Sequence, residues 1–333
     1  MNRQEELELL GVSADLLGCL NSATAGSVRL SLLQLPAPAA GRWSLRWFGQ
    51  SVNWRVALIQ EVQPRQRGRV WLCLHDRVGS PFAESDWCRW LDGPEAAGAM
   101  VPWPYGALDP RAQISAHFLG DVRQLNSIRD GQMRLLEGLR ALSEAEELLV
   151  CGHGRAGALA SVLTPWLDTQ MARRGRLRSR VHSFGAPTAG DWVFARGLES
   201  AYGLGQGRCL SRHDPMPYCW GGLRWLGRAG GRTPPPALLR DRFEVLTGEL
   251  AGVGPQFCQP PGGCVLDALQ PALAADCPTA GTIESPTGSG WSAASDWYVQ
   301  AAHAHALGTY QRRLQRLLQP AQRPQPAAYA RAM

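Results

Sequence analysis

The chain contains no lysine. All 34 basic residues are arginine, against 28 acidic ones, which leaves a formal charge of +6 and excludes any lysine nucleophile or Schiff base. The arginines are scattered, with one cluster at Arg173, Arg174, Arg176 and Arg178. No stripe of basic and aromatic residues accompanies it, so a solvated surface is expected rather than a nucleic-acid partner. No run of about 18 apolar residues occurs, which excludes a membrane-spanning helix but leaves a peripheral membrane contact open. Met1–Leu10 lacks the basic and apolar regions of a secretory leader, so a bacterial cytoplasm is the expected location, with export by a signal-independent route left open. The nine cysteines do not follow zinc-site spacing, and no metal or cofactor is expected. A disulfide among Cys258, Cys264 and Cys277 stays open on sequence grounds, while Cys73 and Cys151 read as small buried hydrophobes.

The apolar fraction, 45%, is enough for a core. Leu7, Leu10, Leu16, Leu17 and Leu20 predict an amphipathic helix over 1–20, followed by a Pro/Gly linker to residue 41. Alternation of Trp43, Leu45 and Trp47, and of Val52, Trp54, Val56 and Leu58, predicts strands. Val70–Leu74 is a continuous apolar run, as in a central strand covered on both faces. Phe118, Val122, Leu125, Ile128, Leu136, Leu139 and Leu142 recur every three or four residues and predict one long helix over 112–142. A second helix is expected over 155–171, kinked or shortened by Pro165. Residues 219–295 are rich in Gly, Pro and Trp and read as an insertion. Residues 319–333 read as a disordered tail, leaving 42–318 as the main domain.

The stretch around which these elements are organised is Glu147–Ala160. An apolar strand leads through Gly152-His153-Gly154-Arg155-Ala156-Gly157 into an Ala/Leu-rich helix. This is the strand–turn–helix context of a nucleophile elbow, G-x-S-x-G. Gly152 lets the helix approach the strand. The Arg155 N–H, at the helix start, is positioned as an oxyanion donor. The serine itself is missing, and Gly154 stands in its place.

Three later phrases keep an order. Phe184-Gly185-Ala186-Pro187 ends a predicted strand. Asp214-Pro215-Met216-Pro217 lies 214 − 154 = 60 residues beyond the elbow. His303 and His305 precede Tyr310 near the C-terminal helix. With the elbow, these phrases resemble the fungal-type (class 3) triacylglycerol lipases, in which the corresponding motifs are G-H-S-x-G-G, F-G-x-P, D-P-V-P and H-S-x-x-x-Y. The resemblance implies an α/β-hydrolase fold, with a mostly parallel central sheet flanked by helices and a lid-like insertion. It implies a triad of position 154, Asp214 and His305, with His303 as the alternative histidine. The second oxyanion donor would come from Arg77–Ser80, the nearest match to the family's F-R-G-T phrase, at Ser80. Trp87, Trp90, Trp103 and Tyr105 fall where those lipases carry the lid over the acyl groove, and would contact substrate or serve as surface packing.

Three functions follow from this resemblance. The first is a pseudo-lipase that binds lipid, an acyl ester or a protein partner without turnover. The second is a lipase or phospholipase seen as a Ser→Gly variant or using another nucleophile. The third is an accessory interaction module built on the Trp-rich segments.

Overall fold

The computed structural model describes residues 3–21, 24–35, 42–62, 68–77, 100–142, 145–171, 177–203, 207–221, 235–237, 239–241, 244–245, 257–258, 262–266 and 293–318. A seven-stranded sheet forms its centre, in the order β1 (Trp43–Gln50), β2 (Trp54–Glu61), β3 (Gly68–Asp76), β8 (Ala145–His153), β9 (Arg178–Phe184), β10 (Arg208–Leu210) and β11 (Cys264–Val265). The β1/β2 and β2/β3 pairs are antiparallel, and every pairing from β3 to β11 is parallel. The short strands β4 (Met100–Pro102) and β5 (Gln113–Ser115) pair beside the main sheet.

The pleat of the central strands sorts their side chains into two cores. On one face Val70, Leu72 and Leu74 of β3 join Leu148 and Val150 of β8. They pack under α3 (Ala116–Ser127), α4 (Leu135–Ala141), α5 (Arg155–Met171) and α6 (Trp192–Tyr202). On the other face Trp71, Cys73, Leu149 and Cys151 lie under α1 (Arg3–Cys19), α2 (Ala25–Leu33) and α8 (Leu307–Leu318). Helix α7 (Ala293–His305) leads into α8. The apolar run at 70–74 is therefore covered on both sides.

Three local expectations are corrected. The predicted helix over 112–142 is β5 and α3, then a hairpin of β6 (Arg129–Asp130) and β7 (Met133–Arg134), then α4. Gly131 takes φ +58° at the hairpin turn, and the Asp130 carboxylate accepts a hydrogen bond from the Phe48 N–H at 3.0 Å. The Trp43–Leu45–Trp47 alternation is broken by a bulge between Leu45 and Trp47. Trp43 therefore enters one core and Trp47 the other. Val52 lies in the turn between β1 and β2 and is 83% exposed, so the strand begins at Trp54. Pro165 lies inside α5, and the helix continues past it to Met171.

Candidate active site

Strand β8 ends at His153, and α5 begins at Arg155. Gly154 makes the turn between them at φ +57°, in the left-handed region. Its N–H donates to the Phe184 carbonyl at 2.8 Å, and its carbonyl accepts from the Gly157 and Ala158 N–H groups. A Cβ on Gly152 would lie 2.2 Å from the Ala156 carbonyl oxygen, so a side chain there would collide with the first turn of the helix. This is the strained strand–turn–helix of an elbow, with no side chain at its tip.

The loop after β10 carries Asp214, and the end of α7 carries His305; both are fully buried. His305 Nδ1 and Asp214 Oδ2 lie 2.8 Å apart. The Tyr310 hydroxyl donates to the same oxygen at 2.6 Å, and the Met216 N–H donates to Asp214 Oδ1 at 2.9 Å. The carboxylate is thus held by three donors, the condition under which a buried charge is tolerated. Burial, followed by the Asp214 charge, pushes the Tyr310 hydroxyl well above its ordinary pKa and keeps it a donor. The far nitrogen of the imidazole faces the elbow: a Cβ built on Gly154 would lie 2.9 Å from His305 Nε2. The pair has the acid–histidine geometry that fixes an imidazole as a general base.

The ring of His153 stacks on that of His305, with centroids 4.3 Å apart, and its Nε2–H donates to the His305 carbonyl at 2.6 Å. Burial and then the neighbouring His305 depress its pKa well below the ordinary value, so it is neutral. At His303 the backbone carbonyl accepts from the Thr309 hydroxyl, while the imidazole beside Asp214 is that of His305.

Arg155, expected as an oxyanion donor through its N–H, also has a side-chain role that the sequence did not reveal. Its guanidinium contacts both oxygens of Asp121, at 2.9 and 3.1 Å, and lies 3.9 Å from Asp76. It also contacts His117 Nε2 and stacks 4.9 Å above the Trp54 ring. The start of α5 is thereby tied to α3 and to the end of β3. The only local trace of this network in the sequence is the i, i+4 pair His117 and Asp121.

The remaining expected site residues are placed as follows. Trp103 is a core residue, 4% exposed, in edge contact with Tyr105 and packed on Phe194, so it does not line an open groove. Ser80, Trp87 and Trp90 lie outside the described residues, as does Cys277. Cys258 and Cys264 are thiols, not joined in a disulfide. Ser183 is buried beside a small cavity lined also by Ser161 and Arg208.

A second Ser–His–carboxylate constellation lies under α1. Ser13 Oγ is 2.7 Å from His182 Nδ1, and Glu6 Oε1 is 3.2 Å from His182 Nε2, close enough for an ion pair without hydrogen-bond alignment. Trp71 Nε1 donates to the Ser13 hydroxyl at 3.0 Å. Ser13 and His182 are buried between α1 and the sheet. Burial raises the Glu6 pKa, but His182 and Arg180 outweigh it and hold the carboxyl below its ordinary range. The cluster fastens α1 to the sheet and offers a substrate no approach.

The sheet order and the acid–histidine pair at the elbow define an α/β-hydrolase-like fold. A family model described as Lipase (class 3) matches residues 106–221, which takes in Gly154, the Phe184–Pro187 turn and Asp214 and stops before His305. Among solved structures the chain is similar to M37 lipase, at 19% identity and a TM-score of 0.65, over 92% of this chain and 91% of that one. It also aligns with a lipase from Rhizopus microsporus var. chinensis at 16% identity and a TM-score of 0.42, over 65% of this chain and 68% of that one. A mono- and diacylglycerol lipase from Aspergillus oryzae aligns at 12% and 0.43, over 66% and 74%. No curated protein sequence matches. Among the described residues, no helix is long and apolar enough to cross a membrane, and no group of three or more His, Cys, Asp or Glu could hold a metal ion.

Proposed function

We propose that this chain is a pseudo-lipase, a lipase-like protein that binds a lipid or acyl ester in the cytoplasm without forming an acyl-enzyme. The observation that carries this reading is Gly154 at the left-handed elbow tip, with His305 Nε2 only 2.9 Å from where its Cβ would stand. No group at that position can be acylated. In serine hydrolases generally, loss of the triad serine removes about 10⁶ of rate, and the oxyanion donors and binding leave roughly 10³–10⁴ over water. Glycine also relieves the strain, about 1–3 kcal/mol, that a side chain incurs at such a backbone angle. On this reading the elbow face serves as the binding site, and a protein partner on the same face is the alternative occupant.

The test is calorimetric binding of a long-chain monoacylglycerol, followed by product analysis of the same sample. Saturable binding with the ester recovered intact is expected. Absence of binding would remove the lipid reading and leave the interaction module.

One observation favours a second reading, a carboxylic-ester hydrolase seen as a Ser→Gly variant. His305 and Tyr310 both remain hydrogen-bonded to Asp214 although no serine is present for them to serve. Under that reading Gly154→Ser regains ester turnover, and under the pseudo-lipase reading the unaltered chain is the functional form.

A further inference from the structure

Away from the acid–histidine site, two pairs of cysteines stand in register on neighbouring parallel strands. Cys73 on β3 faces Cys151 on β8, with Sγ atoms 3.4 Å apart. Cys209 on β10 faces Cys264 on β11. All four are thiols. Opposed residues on adjacent strands have backbones about 4.8 Å apart, within the roughly 4.4–6.8 Å between Cα atoms that a disulfide spans. Backbone separation therefore bars neither pair from closing.

Their chemistry separates them. Cys73 and Cys151 lie in the middle of the sheet with no exposed surface. Burial, and then the neighbouring Cys151, pushes the Cys73 thiol well above its ordinary pKa, so the attacking thiolate is scarce and unreachable. Cys264 is half-buried on the outermost strand. The neighbouring Cys209, itself fully buried, lowers the Cys264 thiol below its ordinary pKa and outweighs the opposing effect of burial.

We propose that Cys209 and Cys264 form an oxidisable dithiol, a modification site whose disulfide locks the edge strand β11 onto β10, while Cys73 and Cys151 stay reduced. The oxidant is a small disulfide of the glutathione class. The Cys264 thiolate attacks one sulfur of that disulfide and expels a thiolate. Cys209, giving up its proton, then attacks the mixed-disulfide sulfur on Cys264 and expels the second thiolate. The two cysteines lose two electrons in total, and the oxidant leaves as two thiols. Strand β10 ends four residues before Asp214 (214 − 210), so the bond fixes the strand from which the acid-bearing loop departs and closes the chain between 209 and 264.

The full chain is equilibrated under native conditions with mixtures of reduced and oxidised glutathione. Free thiols are alkylated after denaturation, and the protein is mapped by non-reducing peptide mass spectrometry. The expected product is a Cys209–Cys264 linked peptide in samples where Cys73 and Cys151 are alkylated, with a higher melting temperature than the reduced form. Cys264→Ser should abolish both the linkage and the rise, and Cys209→Ser should trap glutathione on Cys264. Three results would each overturn the proposal. One is Cys264 carrying glutathione in the unaltered chain while Cys209 stays alkylatable. Another is Cys264 bonded to a different cysteine, and the third is both residues staying alkylatable in the most oxidising mixture.

Discussion

A side chain at position 185 is excluded twice. Gly185 sits at φ +55°, and a Cβ there would lie 2.4 Å from Asp214 Oδ2 and 3.0 Å from both His305 Nδ1 and the Tyr310 hydroxyl. The F-G-x-P phrase is therefore a requirement of the acid–histidine pair as well as of the turn. Gly185→Ala should cost about 1–3 kcal/mol of stability, read from denaturant unfolding. An unchanged midpoint would mean that Asp214 and His305 are not packed as described. Tyr310→Phe tests the same cluster from the other side: it leaves a buried carboxylate with two donors instead of three, at a cost of about 1–3 kcal/mol. These residues were legible because each sits in a short phrase with glycine, proline or histidine at fixed spacing. The Arg155–Asp121–Asp76–Trp54 cluster was not, since it joins residues that only the fold brings together.

Strand β3 carries a predicted pH response. Burial, then the nearby Arg55 and Arg77 charges, lowers the His75 pKa from 6.5 to about 4. His153 at the end of β8 is likewise held well below its ordinary value, by burial and then by His305. In that window the unfolded chain holds protons that the folded one refuses, so stability falls as pH drops from 6.5 towards 4. Asp15 on α1 acts in the opposite sense: burial raises its pKa from 3.8 to about 6, so its contribution is lost as pH rises through that range. Burial raises the Asp121 and Asp168 carboxyls in the same sense as Asp15, so the histidine loss is read as the difference between the unaltered chain and a histidine variant, in unfolding midpoints taken across the window. His75→Gln should flatten that loss, and an unchanged slope would contradict the assignment. The continuous apolar run of β3 marks a central strand covered on both faces, as the two cores confirm. The stretch from Phe118 to Leu142 carries one helical periodicity because Phe118, Val122, Leu125, Ile128, Leu139 and Leu142 all enter the same core. Periodicity reports which face is buried, and it does not register that the backbone doubles back at Gly131. The bulge at Trp47 hides in the same way, since one extra residue reverses the facing of every later side chain.

Among the described residues the main sheet lies between two apolar layers, and the layer made by α1, α2 and α8 depends on the N-terminal residues. Removing residues 1–21 would uncover Trp71, Leu149 and Tyr310 and leave His182 without Ser13 and Glu6. The shortened chain should aggregate or lose cooperative unfolding, and a well-folded product would contradict the two-layer account. The elbow lies under the opposite layer, where α5 meets β8, with Asp214 and His305 brought to it from the far half of the chain. The Asp214–His305 pair faces the tip of the elbow, where Gly154 stands. The most direct measurement is labelling by an alkyl fluorophosphonate, read by intact mass, on the unaltered chain and on Gly154→Ser. The account predicts no adduct on the unaltered chain. It predicts one adduct at position 154 in the variant, once His305 has withdrawn the few tenths of an ångström that the new Cβ requires. An adduct on the unaltered chain, with ester turnover abolished by changing some other serine, would contradict it.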